Sequence, residues 1–255
     1  MGSIELQGKT ALVTGAGAGM GASTALLLAE HGANVVIVDV DDQAGKNTVA
    51  QIEAIGGDAL FVRADVSSEP DVAAMVAVAA ETYGGLNIAV NNAALRPDSA
   101  PLAELDIEVF DRLMAVDLRG VALCLKHEIR QFLEQGTPAS VVNIGSVSSK
   151  RPRPNNAAYV AAKHGVVGLT KVAAIEYGAQ GIRVNAVLPG GVDTPMIREA
   201  RAAAGIDNPD EFALSLFGRL AAPREIAEAT LWLCSDRSSY VTGHCLAVDA
   251  GYLAR

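Results

Sequence analysis

TALVTGAGAGMGASTALLLAEHGANVVIVD, residues 10–39, is the stretch on which the fold turns. A short apolar run, TALV (10–13), enters a turn carrying Gly15, Gly17, Gly19 and Gly21 around Met20. A helical run with Ala25, Leu26, Leu27, Leu28 and Ala29 follows, and then a second apolar run, NVVIVD (34–39). The order is strand, turn, helix, strand, the start of a βαβ unit. Glycines in such a turn let the backbone come close enough to a pyrophosphate to donate N–H groups, while the helix N-terminus faces the negative charge. Residues 17–22 fit G-x-G-x-x-G/A, and Gly15, Gly19 and Gly21 fit G-x-x-x-G-x-G, so spacing leaves both registers open. Asp39 ends the second run, 24 residues after Gly15 (39 − 15). A carboxylate there accepts the hydroxyls of an adenosine ribose and repels a 2′-phosphate. No Lys or Arg occurs in 15–22 or directly after Asp39 to offset that repulsion, so the expected cofactor is NAD rather than NADP.

Outward from this unit the pattern repeats. Five more short apolar runs follow: ALFVR (59–63), NIAVN (87–91), SVVNI (140–144), RVNAVL (183–188) and HCLAV (244–248). Alanine-rich segments with helical spacing separate them, at 19–31, 41–55, 69–83, 104–134, 157–180 and 223–234. The alternation predicts an α/β chain, a single-domain Rossmann fold over 1–255 with a seven-stranded parallel sheet, doubly wound with helices on both faces. Ligands bind such sheets beyond the carboxyl ends of the strands, where strand order reverses. One long stretch, about 190–219, departs from the pattern and is expected to be a substrate-binding lid.

Composition narrows the partners. At 255 residues and 50% hydrophobic content the chain suits one large sheet, and a net charge of −9 repels phosphate backbones and anionic lipid. Neither nucleic acid nor membrane is an expected partner. Cys124, Cys234 and Cys245 are odd in number and fit no zinc or redox spacing, so they are read as packed thiols of a reducing compartment, with no metal site. MGSIELQGK lacks the apolar core of a secretory signal, Leu6 stands where a myristoylation signal needs Ser or Thr, and no apolar run is long enough to span a bilayer. A cytoplasmic protein is expected.

The chemistry-bearing residues lie later. AAYVAAKHGV (157–166) puts Tyr159 and Lys163 on one helix face, one turn apart. A phenol is a poor base at neutral pH, but a neighbouring ammonium favours the phenolate, so the pair suits proton exchange with an alcohol or ketone oxygen. Ser146 precedes Tyr159 by 13 residues (159 − 146), in IGSVSSKRP after a strand. Its hydroxyl is a donor for a developing alkoxide, while serines in such a loop also bond to nearby backbone, the role expected of Ser148 and Ser149.

Together these residues resemble the short-chain dehydrogenase/reductase family, from Gly8 to Gly251. TGAGAGMG (14–21) is similar to the family's phosphate-binding turn, and Asp65-Val66 to the acidic pair whose side chain and backbone contact adenine. NNAA (91–94), with Asn92 and Ala93, resembles its Asn-Asn-Ala-Gly stretch, Ala94 taking the glycine's place. Ser146, Tyr159 and Lys163 match its catalytic Ser, Tyr and Lys in spacing. PGGVDTPM (189–196) resembles the segment that carries the nicotinamide, with Pro189, Gly190, Val192 and Thr194, the last also a candidate helix cap ahead of Pro195.

The resemblance implies an NAD-dependent oxidoreductase that interconverts a secondary alcohol and a ketone, with Tyr159 taking the proton, Ser146 steadying the alkoxide and Lys163 holding phenolate and nicotinamide ribose. One departure stands out in AVDLRG (115–120): Asp117 occupies the place where the family usually has an Asn that supports a water and a proton relay to the lysine. An ionised aspartate accepts from water but cannot donate, and its charge would favour a cationic Lys163. A modified relay and a purely structural Asp117 both stay open.

Over 197–217 apolar residues outnumber charged ones: Ile197, Ala200, Ala202, Ala203, Ala204, Ile206, Phe212, Ala213, Leu214, Leu216 and Phe217. Leu95, Pro97 and Leu102 are candidates for the opposite wall. The expected substrate is a hydrophobic cyclic alcohol or ketone of alicyclic, terpenoid or steroid-like skeleton. Arg198, Glu199 and Arg201 are read as the lid's solvated face rather than an anion clamp. Ala157, Ala158, Ala161, Ala162, Gly165 and Gly168 leave room for a second helix, and the resemblance implies a homotetramer with a further contact through about 240–255. Two alternatives differ in kind. A 3-ketoacyl-thioester reductase would favour NADPH and a basic docking surface, and a non-catalytic NAD-binding regulatory protein has no need of a complete Ser146-Tyr159-Lys163 set. A related enoyl reductase would separate Tyr and Lys by a longer interval.

Overall fold

The computed structural model describes residues 5–203, 205 and 215–254. Each of the seven apolar runs is a strand: β1 (Thr10–Thr14), β2 (Asn34–Asp39), β3 (Ala59–Arg63), β4 (Ile88–Asn91), β5 (Ala139–Ile144), β6 (Ile182–Pro189) and β7 (Cys245–Val248). All pairings are parallel, in the order β3-β2-β1-β4-β5-β6-β7, so strand order reverses between β1 and β4. Alternate side chains leave opposite faces of the sheet, and both faces are covered. Leu12, Val36 and Val141 enter one core, while their neighbours Val13, Ile37 and Val142 enter the other.

Helices α3 (Glu69–Tyr83), α5 (Val121–Gln135) and α6 (Ala157–Tyr177) cover the first face through Met75, Phe132 and Val166. On the second, α1 (Gly19–Glu30), α2 (Asp42–Ala54) and α8 (Pro223–Cys234) contribute Leu28, Ile52 and Ile226. The start of α2 is fixed by Asp41, whose Oδ1 accepts the N–H groups of Gln43 and Ala44 at 2.9 and 3.0 Å. Ser68 caps α3 ahead of Pro70, and α3 and α5 stop at Gly84 (φ 76°) and Gly136 (φ 63°), where a left-handed residue is needed.

The segment expected to be one helix over 104–134 is broken. α4 (Ile107–Leu113) runs into a widened π-helical stretch, Met114–Gly120, before α5 begins at Val121. Packing explains the widening: Gly120 lets Val66 approach, since a Cβ would lie 2.9 Å from Val66 Cγ2, and Asp117 is drawn fully inside. Such stretches recur at functional sites.

In the segment expected to be a lid α7 spans Pro195–Ala203, and the expected wall residues Ala204, Ile206, Phe212, Ala213 and Leu214 lie outside the described residues. Among the described residues no helix is long and apolar enough to cross a membrane. The three cysteines are free thiols, with Cys124 and Cys234 buried.

Candidate active site

A cavity of about 510 Å³ opens beyond the carboxyl ends of β1 to β5, at the reversal of strand order. Gly15, Gly19 and Met20 border it on one side, Asp39, Asp65 and Val66 on another, and Asn92, Ala93 and Leu95 on a third. Tyr159 and Lys163 enter from α6, and Thr194 from the start of α7.

The glycine turn is held by backbone contact. Gly15 and Gly19 take positive φ (62° and 57°), which favours glycine, and a Cβ on Gly15 would meet Ala93 Cα at 2.8 Å. At Gly21 a Cβ would lie 2.5 Å from Asn92 Nδ2 and closer still to the Gly15 carbonyl. All three glycines of the G-x-x-x-G-x-G register are therefore held by backbone conformation or close contact. Asn92 Nδ2 donates to the carbonyls of Thr14 and Gly15 at 2.9 and 3.0 Å, and Thr14 Oγ1 accepts the N–H groups of Asn92 and Ala93 at 3.0 and 3.1 Å. Thr14 opens the glycine motif in the sequence, but its bonding role does not show there, because its partner Ala93 lies 79 residues away.

Asp39 accepts the N–H of Gly17 (2.8 Å) on one oxygen and that of Asp41 (3.1 Å) on the other, which aims its carboxylate at the cavity rim. Glycine at 17 makes room for it, because a Cβ there would lie 2.8 Å from Asp39 Oδ2. Asp65 is exposed, and its Oδ1 accepts both the N–H and the hydroxyl of Ser67 at 2.8 and 2.7 Å. A cradle that any Cβ would fill, a helix start and a carboxylate one strand over are the features a dinucleotide requires, and the cavity fits one.

At the other end Lys163 is 2% exposed. Its Nζ donates to the Ile144 carbonyl at 3.2 Å, stands 3.4 Å from Asp117 Oδ2, and lies 5.5 Å from the Tyr159 ring centroid. Asp117 is 0% exposed and takes the Leu95 N–H on Oδ1 at 2.8 Å. Burial works against the lysine charge, but the facing carboxylate overcomes it and holds the ammonium above its ordinary range. Burial also raises the Asp117 carboxyl, against the pull of Lys163 and the Leu95 N–H. Burial thus opposes both charges, and their mutual attraction favours both.

Ser146 is buried and opens the turn Val147–Ser149, its Oγ accepting the Ser148 N–H at 3.1 Å. That local bond leaves its own proton to donate. Ser149 departs from expectation: its hydroxyl donates to the Lys163 carbonyl at 2.8 Å and ties the turn to α6 instead of bonding locally.

Thr194 does cap α7, with Oγ1 accepting the Ile197 N–H at 3.3 Å, and it also borders the cavity. Pro189, Gly190 and Val192 do not border it. Val192 is buried in the core beside Ala221, and Gly190 packs on Asp249, where a Cβ would meet Cα at 3.0 Å. Gly17, Gly21 and Asp117 likewise do not border the cavity, while Ser146, 8% exposed, is the chain neighbour of Gly145, which does.

Two further expectations change. The small residues of α6 divide: Ala158 and Ala162 are buried, and Gly165 packs within the subunit, since a Cβ there would lie 2.5 Å from Leu118 Cδ1. Ala161 and Gly168 alone are exposed. Leu102, expected on the substrate wall, is 73% exposed, while Leu95 does border the cavity. Arg198 is engaged by Asp193 through two bonds of 2.8 and 3.0 Å on the exposed face. Among the described residues no three His, Cys, Asp or Glu side chains gather as a metal ion would need.

A family model described as Enoyl-(Acyl carrier protein) reductase matches residues 15–253. The chain is 50% identical over 250 residues to the short chain dehydrogenase/reductase astE of Aspergillus oryzae, covering 97% of this chain and 96% of that one. It is 46% identical over 251 residues to the 2,5-dichloro-2,5-cyclohexadiene-1,4-diol dehydrogenase of Sphingobium indicum, covering 98% and 99%. Among solved structures, levodione reductase superposes with a TM-score of 0.92 at 35% identity, covering 98% of this chain and 99% of that one. The chain belongs to the short-chain dehydrogenase/reductase family, oxidoreductases that bind a nicotinamide cofactor.

Proposed function

We propose that this protein is an NAD-dependent dehydrogenase that interconverts a hydrophobic cyclic secondary alcohol and its ketone, with Tyr159 exchanging the hydroxyl proton. The observation that carries the proposal is a phenol on the cavity wall one helical turn from a buried lysine that Asp117 keeps cationic. Bound NAD supplies the hydride acceptor. The chain's own residues do the rest: Lys163 favours the phenolate form of Tyr159, that phenolate takes the proton from the alcohol oxygen and becomes the neutral phenol, and Ser146 donates its remaining hydrogen to the oxygen as charge develops there. Of the residues that border the cavity, Gly15, Gly19, Met20, Asn92 and Ala93 would line the phosphates, Asp39 would hold the adenosine ribose, Asp65 and Val66 the adenine, and Thr194 the nicotinamide end.

Asp117 acts in this scheme as the counter-ion of Lys163 in place of an amide. Asp117→Asn is expected to lower turnover and shift its pH profile; an unchanged rate and profile would leave Asp117 a structural residue only. The cofactor choice follows from Asp39, whose carboxylate faces a 2′-phosphate with no Lys or Arg beside it in the turn. Turnover with NADP equal to that with NAD at one concentration would contradict it.

For the substrate, Leu95, Val116 and Met196 give the cavity apolar wall, and one relative oxidises a chlorinated cyclohexadiene diol by name. The test is NADH formation across cyclic and aromatic secondary alcohols, with alicyclic alcohols expected to lead. A preference for an acyl thioester or a sugar would defeat the assignment. Val172 and Ile175 on α6 and Leu133 on α5 are exposed apolar residues that suit a homotetramer of a cytoplasmic enzyme, and elution as a monomer at micromolar concentration would refute that assembly.

A further inference from the structure

The first turn of α6 needs acceptors for its N–H groups, and Asn156, at the capping position, supplies no side-chain bond. The acceptors come instead from Asp98, in the loop after β4. Its Oδ1 takes the Tyr159 N–H at 3.1 Å, 61 residues away, and its Oδ2 takes the Ala158 N–H at 3.2 Å. Asp98 is 6% exposed, and Asn156 Nδ2 donates in turn to its carbonyl. The carboxylate faces the positive end of the helix, where a negative charge is favoured.

The same loop is anchored a second time. Leu95, on the cavity wall, donates its N–H to Asp117 at 2.8 Å, and Asp117 faces Lys163. Loop 95–98 is thus tied at one end to the lysine's counter-ion and at the other to the backbone of the tyrosine. We infer that Asp98 is a positioning residue for Tyr159: it fixes where the phenol stands relative to Lys163 and to the Leu95 wall. An ordinary cap comes from the chain next to its own helix and adds stability alone; this one joins two walls of the reaction cavity at the residue that carries the phenol.

The inference rests on the proposed role of Tyr159, and the test separates the two. Steady-state turnover of an active cyclic alcohol is measured per NADH-binding site for wild type, Asp98→Asn, Asp98→Ala and Tyr159→Phe, with NADH affinity from fluorescence titration. Asp98→Ala is expected to lower kcat by roughly 10- to 100-fold, since small misplacements of a reacting group have effects of that size. Asp98→Asn, which keeps one acceptor oxygen, is expected to fall between that variant and wild type, with NADH affinity held within about twofold in both. The Asn variant carries the test if the Ala variant does not fold. Wild-type turnover per site in the Asn variant, or kcat and NADH affinity falling in proportion, overturns the inference. If Tyr159→Phe is inactive while the Asp98 variants turn over normally, only the Asp98 assignment fails; if Tyr159→Phe turns over normally, the proton-transfer proposal fails.

Discussion

The two ends of the cavity are built on different physics. At the glycine turn, function is carried by backbone: Gly15, Gly19 and Gly21 are there because a Cβ would strain the chain or strike it, and Asn92 and Thr14 lock the turn to the end of β4. At the tyrosine end, the proposed chemistry rests on buried charge. Lys163 and Asp117 are both almost wholly enclosed, and Asp98 reaches across from the same loop as Leu95. The first end tolerates no added atom; the second tolerates no missing partner.

Substitutions sharpen this contrast. The largest effect is expected from Lys163→Met, which leaves Asp117 as an uncompensated buried carboxylate and costs roughly 3–5 kcal/mol of stability. Adding Asp117→Asn should return most of that stability without restoring turnover, as read by denaturant unfolding beside activity. If the double variant is no more stable than the single, the loss came from packing rather than charge.

Glu128 extends the charge side of the contrast into the core. It is fully buried, bonded to Asn91 Nδ2 at 3.1 Å, and burial pushes its carboxyl up to about 7 from 4.5. The folded protein therefore keeps a proton that the unfolded chain releases, so stability falls as pH rises from about 4.5 through about 7 and levels off above, by about 3 kcal/mol in all. Glu128→Gln should flatten that decline in unfolding curves taken at pH 5 and pH 8. A wild-type curve that does not fall between them would contradict the assignment.

Gly21→Ala tests the backbone side. Crowding against Asn92 and the Gly15 carbonyl should cost about 1–3 kcal/mol and weaken NADH binding at least tenfold, with the pH dependence of stability unchanged. The smallest effect is expected at the exposed Arg198–Asp193 pair, where Arg198→Ala should leave the melting temperature unaltered within error.

The same division explains how much could be read from the chain. All seven strands follow from β-branched runs, and the glycine turn follows from spacing, because backbone demands act on neighbouring residues. Tyr159 and Lys163 are legible for the same reason, being one turn apart on one helix. Asp98 is not, since its partners come 60 and 61 residues later, and Ser149 reaches the Lys163 carbonyl across 14 residues. The widened stretch at Met114–Gly120 leaves no mark on hydrophobic periodicity, so 104–134 reads as one helix until Val66 is seen against Gly120. Val192 resembles a cofactor contact in its motif, yet it is buried in the core beside Ala221. The small residues of α6 look alike in sequence, but only the fold separates those against Leu118 from those facing outward.

Turnover of Tyr159→Phe, measured beside its NADH affinity, bears most directly on the central claim. We predict a loss of roughly 10²- to 10⁴-fold in turnover, the range for removal of a general acid–base group, with NADH affinity within about twofold of wild type. Turnover at the wild-type rate in the phenylalanine variant would contradict it.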